Sequence, residues 1–314
     1  MYEAIKNFNK QFEYNPVIEN KDALKSTDSY IIVGMGGSAH VGDILKNYNP
    51  YLKVSVHRNY GLPVFYNNKL IILSSYSGNT EETLDAFSVA VSDNLPMAAM
   101  TMGGKLLDLA IENKIPYIQL PDAGIQPRAS LGFQIMALTK LIGDDEAYSA
   151  AKSLAQLIDP IKFEEDGRSL AKNLKGKVPI IYASERNRAI ANNWKIKFNE
   201  TGKIPAFYNV FPELNHNEIN SFSNKDLSDN FLFIFLTDDQ DHPRIKKRMK
   251  VLQKMYEDMG LLVAILKLKG KNTFHKIFSS LLVADWTSFY TAKGYELDPD
   301  NVPMIEDFKK YLNS

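Results

Sequence analysis

The chain alternates strand-length apolar runs with amphipathic stretches, and it does so twice. In the first half the runs are 29–35 (SYIIVGM), 52–57 (LKVSVH), 69–74 (KLIILS), 96–101 (PMAAMT) and 115–120 (IPYIQL). Between them Val41, Ile44, Leu45 and Tyr48 fall at helical spacing, as do Leu84, Phe87 and Val91. That alternation is the pattern of a parallel sheet with crossover helices. From about Gly143 the sequence turns polar, passes two helical stretches at 147–158 and 162–174, and starts again. The second series predicts strands at 178–184, 231–237 and 261–268 and helices at 186–201, 243–259 and 273–293. Pro243 suits a first helical turn and Gly260 a helix stop. The expectation is α/β throughout, in two doubly wound parallel-sheet domains of similar build, 1–145 and 146–314.

At 314 residues the chain is longer than a usual single domain, which agrees with two. Its 37 basic and 37 acidic residues balance, which removes the footprint of a nucleic-acid or anionic-membrane binder. No cysteine is present, so thiol catalysis, disulfides and zinc-thiolate sites are excluded. The first fifteen residues mix charges without an apolar segment, and the longest apolar runs are far short of a membrane span. A cytoplasmic protein with a small-molecule or protein partner is expected, with no nucleic acid and no membrane.

In parallel sheets ligands bind beyond the carboxyl ends of strands, where helix N-termini present unpaired N–H groups. Two strand ends in the first half are specialised. One is GMGGSA, 34–39, whose Gly34, Gly36 and Ala39 satisfy dinucleotide spacing. That fingerprint wants an acid after the next strand, and Arg58 stands near that place, admitting only a 2'-phosphate variant. The other is SSYSGNTEET, 74–83. Capping a helix needs one hydroxyl. Ser75, Ser77 and Thr80, with Gly78 letting the backbone approach closely, offer three, enough to share the oxygens of one phosphate monoester. Arg128, in QPRASLG after the last strand of the first half, supplies a cation.

The string S-x-S-G-x-T-E-E between strand and helix, with G-M-G-G-S at an earlier strand end, resembles the sugar isomerase (SIS) fold, whose members hold phosphosugars by that loop. The second domain has no copy of it. Its matching strand end, LTDDQDHPRI at 236–245, is acidic and unfit for phosphate. It carries instead Glu200 at a helix end and His216 flanked by asparagines. Each alone reads as an ordinary surface residue. Moving hydrogen between C2 and C1 of an aldose needs a base that removes and returns a carbon-bound proton, and ring opening needs a second proton relay. A carboxylate at the negative end of a helix suits the first task.

Taken together, GMGGSAHVGD, SYSGNTEET, QPRASLG, WKIKFNETGKIPAF, PELNHNEI and DWTSFYTAKGYELDP, in that order, resemble the bifunctional phosphoglucose/phosphomannose isomerases, a branch of the SIS fold. The resemblance implies two α-β-α sandwiches with the active site between them, and metal-independent interconversion of glucose 6-phosphate and mannose 6-phosphate with fructose 6-phosphate through a cis-enediol, with no cofactor. It implies that Gly36, Gly37, Ser38, Ser75, Ser77, Thr80 and Arg128 hold phosphate and nearby oxygens, and that Glu200 is the base. It further implies that His216 opens the ring from the partner subunit of a homodimer. Lys293 matches a mobile active-site lysine, and Thr287 a threonine that leaves room for both C2 epimers. His40 departs from the family pattern. His57, His242 and His275 show no metal-ligand spacing. Two other readings compete. A non-catalytic SIS sensor would need the hydroxyl loop but neither Glu200 nor His216. An NADP oxidoreductase would rest on GMGGSA and Arg58 and leave the serine loop unexplained.

Overall fold

Residues 1–312 are described by the computed structural model, and they divide into two units. The N-terminal unit comprises Lys6–Ile158 with Asn272–His275. The C-terminal unit comprises Asp159–Lys271 and the chain from Lys276 onward, with Met1–Ile5.

The N-terminal unit is built on a five-stranded sheet: β1 (Ser29–Val33), β2 (Lys53–His57), β3 (Leu70–Ser74), β4 (Met97–Thr101) and β5 (Tyr117–Gln119). Every pairing is parallel and the order is β2-β1-β3-β4-β5. All five residues of β3 and of β4 are buried, as a strand covered on both faces must be. On one face Ile31, Val33, Ile71, Leu73 and Ala99 pack with Ala86, Phe87 and Ala90 of a crossover helix. The helices of eight or more residues here are α1 (Gly36–Tyr48), α2 (Glu81–Ser92), α3 (Gly104–Glu112), α4 (Leu131–Ile142) and α5 (Asp145–Lys152). The strand expected over 115–120 is only Tyr117–Gln119, and its outer edge is bridged by Glu19 in antiparallel sense. The helix expected over 147–158 is broken at Ser153 into α5 and a short turn, Leu154–Leu157.

The C-terminal unit carries a four-stranded parallel sheet, ordered β7-β6-β8-β9: β6 (Val178–Ser184), β7 (Phe207–Phe211), β8 (Phe231–Asp238) and β9 (Leu262–Leu268). Its longer helices are α6 (Glu164–Asn173), α7 (Arg188–Glu200), α8 (Pro243–Asp258), α9 (Thr273–Gly294) and α10 (Pro303–Leu312). Tyr182, Phe211, Phe233, Phe235 and Tyr256 form an aromatic core on one face of the sheet. Pro243 opens α8, where its missing N–H leaves no bond unmade, and the His242 imidazole caps the same end by accepting from the Arg244 amide at 3.1 Å. Strand β7 has no counterpart in the sequence reading. It lies at the sheet edge, with Phe207 exposed and a polar Asn209 at its centre, so it lacks the continuous apolar run that marks its neighbours.

Strand order fixes where a ligand belongs. In each unit the chain enters the sheet in one strand, crosses to the strand on one side, and returns to pair on the other. The crevice between the carboxyl ends of β1 and β3, and that between β6 and β8, are the topological switch points at which doubly wound sheets bind ligands.

Candidate active site

At the first switch point three loops meet. Ser38, at the start of α1, is buried, and its Oγ accepts from the Tyr76 amide of the serine loop at 3.0 Å. In return, Ser74 Oγ donates to the Ser38 carbonyl at 2.8 Å. Gly37 faces the third loop so closely that a Cβ there would stand 3.1 Å from the Pro127 carbonyl and 3.5 Å from the Arg128 Cα. The structure therefore brings together the glycine loop, the serine loop and the short 3-10 turn Pro127–Ala129 that carries Arg128. Ser38 is seen to tie two of these loops together. Ser74, which the sequence reading left inside the strand, shares that task.

The serine loop is tightly folded on itself. Ser75 Oγ lies 2.8 Å from Thr80 Oγ1 and accepts from the Gly78 amide at 3.0 Å. Gly78 has φ +71°, and a Cβ on it would meet the Gly103 carbonyl oxygen at 1.7 Å, so only glycine fits. Ser75 is buried, Thr80 partly buried and Ser77 exposed. None of the three hydroxyls caps α2: Thr80 occupies the cap position without a side-chain cap bond. Nor does any side chain cap α1. The hydroxyls and two helix N-termini are thus grouped at the switch point without serving as helix caps, an arrangement suited to an anion. α4 differs. Its first amides, Gly132 and Phe133, donate to Gln11 Oε1 at 3.0 and 3.3 Å, while Gln11 Nε2 donates to the Ala129 carbonyl at 2.7 Å. Gln11 thereby holds the turn bearing Arg128, whose side chain is itself buried. No local sequence signal marks Gln11, because its partners lie more than a hundred residues away.

In the C-terminal unit Glu200 ends α7 and is partly buried. Lys203 Nζ donates to its backbone carbonyl at 2.6 Å, closing the helix end. α7 packs along α9: Trp194 Nε1 donates to Ser280 Oγ at 3.0 Å, and Lys197 Nζ to Asp285 Oδ1 at 2.6 Å. Both pairs climb the two helices in the same direction. Glu200 lies three residues beyond Lys197 and Thr287 two residues beyond Asp285, in that same direction along the two helices. Thr287 is fully buried and its hydroxyl donates to the Val283 carbonyl at 2.6 Å, so what it offers a neighbour is shape. Lys293 lies about 9 Å further along the helix. It is exposed, with its ammonium 5.8 Å from the Phe289 ring centroid. His216 is exposed at the end of the 3-10 turn Glu213–His216.

The second switch point is closed. Asp238, Asp241, Asn187, Ser184 and Lys276 are all buried there. Lys276 Nζ donates to Asp238 Oδ2 at 2.6 Å and to Gln240 Oε1 at 2.9 Å, and Ser184 Oγ donates to Asp241 Oδ1 at 2.6 Å. Burial pushes Asp238 up, but the Lys276 hydrogen bond and the Gln240 amide outweigh it, and its carboxyl lies below the usual range. Asp241 is pushed up, first by burial and further by the Asp238 charge. With two carboxylates already at the strand ends, this crevice repels an anion. Arg58 is also engaged, donating to Asp43, which leaves the dinucleotide reading without its free cation. Among the described residues no group of three or more His, Asp or Glu is placed to hold a metal ion, and no helix is long and apolar enough to cross a membrane.

Residues 163–312 match the family model of the bacterial phospho-glucose isomerase C-terminal SIS domain. The bifunctional phosphoglucose/phosphomannose isomerase of Aquifex aeolicus (strain VF5) is 32% identical, over 99% of this chain and 98% of its own. That of Caldicellulosiruptor bescii is 35% identical over the same shares. Among solved structures, the glucosamine-6-phosphate deaminase of Thermotoga maritima superposes with a TM-score of 0.69 at 17% identity, covering 96% of this chain and 97% of its own, a likeness of fold. With full-length relatives above 30% identity, this chain belongs to the bifunctional phosphoglucose/phosphomannose isomerase family.

Proposed function

We propose that this protein is an aldose-ketose isomerase that interconverts glucose 6-phosphate and mannose 6-phosphate with fructose 6-phosphate, without a metal. The observation that carries the reading is the first switch point: Ser75, Ser77 and Thr80 stand beside two helix N-termini without capping them, in a chain of this family. Their hydroxyls and the helix amides donate to the phosphate oxygens, and Arg128 offsets charge on the phosphate and on the enediolate. A sensor would use this half alone; the carboxylate and the imidazole distinguish an enzyme.

His216 opens the pyranose, passing a proton to the ring oxygen as the C1–O5 bond breaks and the C1 hydroxyl yields its own. Its exposure fits delivery to the partner subunit of a homodimer. Glu200 then takes the C2 proton; the C–H pair forms the C1=C2 bond and O1 takes a proton from water, giving the cis-enediol. Return of the proton from Glu200 to C1, with the O2 proton passing back to water, gives the ketose. Thr287, on the helix that α7 bonds through Lys197 and Asp285, shapes the space in which C2 turns about C2–C3, so that both epimers present hydrogen to one base. Lys293 adds positive charge near the sugar oxygens when it swings in.

The test is fructose 6-phosphate formation from each aldose phosphate in excess chelator. Wild type is expected to convert both, and Glu200→Gln to lose about 10²- to 10⁴-fold in kcat. Activity that disappears with chelator, or that survives the substitution, refutes the mechanism.

A further inference from the structure

Two residues past His216, the carboxylate of Glu218 is gripped from two strands at once. Tyr182 Oη, from a fully buried residue of β6, donates to Glu218 Oε1 at 2.5 Å, and Asn209 Nδ2, from β7, donates to Oε2. Both oxygens are therefore engaged by residues of the sheet. Upstream, Leu214 is buried in the aromatic core and Arg248 Nη1 donates to Asn215 Oδ1 at 3.2 Å. His216 itself is exposed, so no packing fixes its ring. What fixes it is the backbone on either side, and on the downstream side that backbone is held by Glu218.

A partly buried carboxylate on the buried Tyr182 is costly to desolvate, and an apolar side chain would fill the place more cheaply. What an apolar residue cannot do is bind β6 and β7 simultaneously and in one geometry. Burial, the neighbouring Tyr256 and the bond to Glu218 all push the Tyr182 phenol up, so it remains a donor at neutral pH. We infer that Glu218 is a positioning residue for ring opening: by bridging Tyr182 and Asn209 it fixes the turn that presents the His216 imidazole. This rests on the reading of His216 as the ring-opening group.

Opening and reclosing the pyranose exchanges its anomers without touching a C–H bond. Anomer exchange of glucose 6-phosphate, followed by exchange NMR with the buffer rate subtracted, therefore reads the His216 step alone, and a Glu200→Gln background silences isomerisation. In that background Glu218→Ala is expected to slow catalysed exchange by about 10²-fold, as for a reactive group displaced by an ångström. Glu218→Gln, which keeps an acceptor for Tyr182, is expected to restore most of it. Binding of gluconate 6-phosphate, which is acyclic, stays unchanged in both. If His216→Ala abolishes exchange while Glu218→Ala leaves it intact, Glu218 is a mere structural anchor and the inference fails. If His216→Ala itself leaves exchange intact, the role assigned to His216 fails, and this inference with it. Should Glu218→Ala not fold, Tyr182→Phe decides: it keeps the ring and removes one donor, and slower exchange with unchanged gluconate 6-phosphate binding supports positioning, whereas unchanged exchange overturns it.

Discussion

Replacing Lys276 by methionine tests the account of the closed switch point. The side chains of Lys276 and Asp238 are 8% and 2% exposed and 2.6 Å apart, so the substitution strands a buried carboxylate without its counter-ion. Removing one partner of such a pair costs about 3–5 kcal/mol. Two contacts soften the loss, since the Gln240 amide still donates to Asp238 Oδ1 at 3.0 Å and Asn187 Nδ2 to Oδ2 at 3.2 Å. The nearby Asp241 sharpens it. The expected loss at neutral pH is about 3 kcal/mol.

Urea unfolding followed by tryptophan fluorescence measures it selectively, because Trp194 and Trp286 are both buried in the C-terminal unit. The loss has a pH signature. In the wild type Asp238 has a depressed folded pKa, so its contribution is complete above the unfolded carboxylate range and disappears as pH falls through the folded value. Asp241 is raised, so its contribution runs the other way: it is complete below the unfolded range and lost as pH rises through the folded value. Without Lys276 the Asp238 pKa rises, so wild type and variant converge in acid, where Asp238 is protonated in both. The double variant Lys276→Met, Asp238→Asn removes the stranded charge and is expected to recover most of the loss at neutral pH. A single-variant loss below about 1 kcal/mol, or one that does not shrink in acid, refutes the argument.

The remaining expectations concern the anion cradle. Gly78→Ala forces a left-handed alanine against the Gly103 carbonyl, and should cost about 2–4 kcal/mol in the unfolding of the N-terminal unit as well as raising KM for fructose 6-phosphate. Ser75→Ala removes a hydroxyl that organises Gly78 and Thr80, and a tenfold to hundredfold rise in KM is expected, about the worth of one hydrogen bond to a charged group. Gln11→Ala leaves the Gly132 and Phe133 amides without their acceptor, and about 1–3 kcal/mol of stability should be lost in chemical unfolding.

Much of the fold was legible because central strands of a parallel sheet are buried on both faces and so read as unbroken apolar runs. β3 and β8 are of that kind. β7 was not legible, because an edge strand needs less apolar surface; its central Asn209 looks like a loop residue until Glu218 is seen to need it. The hydroxyls of 74–83 were legible as a group because they are adjacent in sequence. The long-range contacts were not: that Ser38 bonds the Tyr76 amide, Gln11 the Ala129 carbonyl, Tyr182 Glu218 and Lys276 Asp238 depends on partners far away along the chain, and only strand order decides which distant residues meet.

Strand order also explains how one fold does two jobs. The two switch points arise from the same crossing of the chain, so each sheet offers a crevice between the same two strand ends. At the first, every group that ties the loops together is neutral: Ser38, Ser74, Ser75 and the glycines. These ties bring no negative charge of their own to the crevice. At the second, the acidic stretch 236–245 already signals in sequence that phosphate is unwelcome. What it cannot signal is that its charge is balanced internally by a lysine 38 residues downstream on α9. That pairing closes the crevice and ties α9 to the end of β8, while α7 lies along the same helix through Lys197 and Asp285. The helix that seals the second crevice is thus the one that carries Thr287 and Lys293 and is bonded to α7, which ends at Glu200. Filling the crevice with ionic contacts gives the residues proposed for catalysis in that unit a rigid support, which an open anion seat would not.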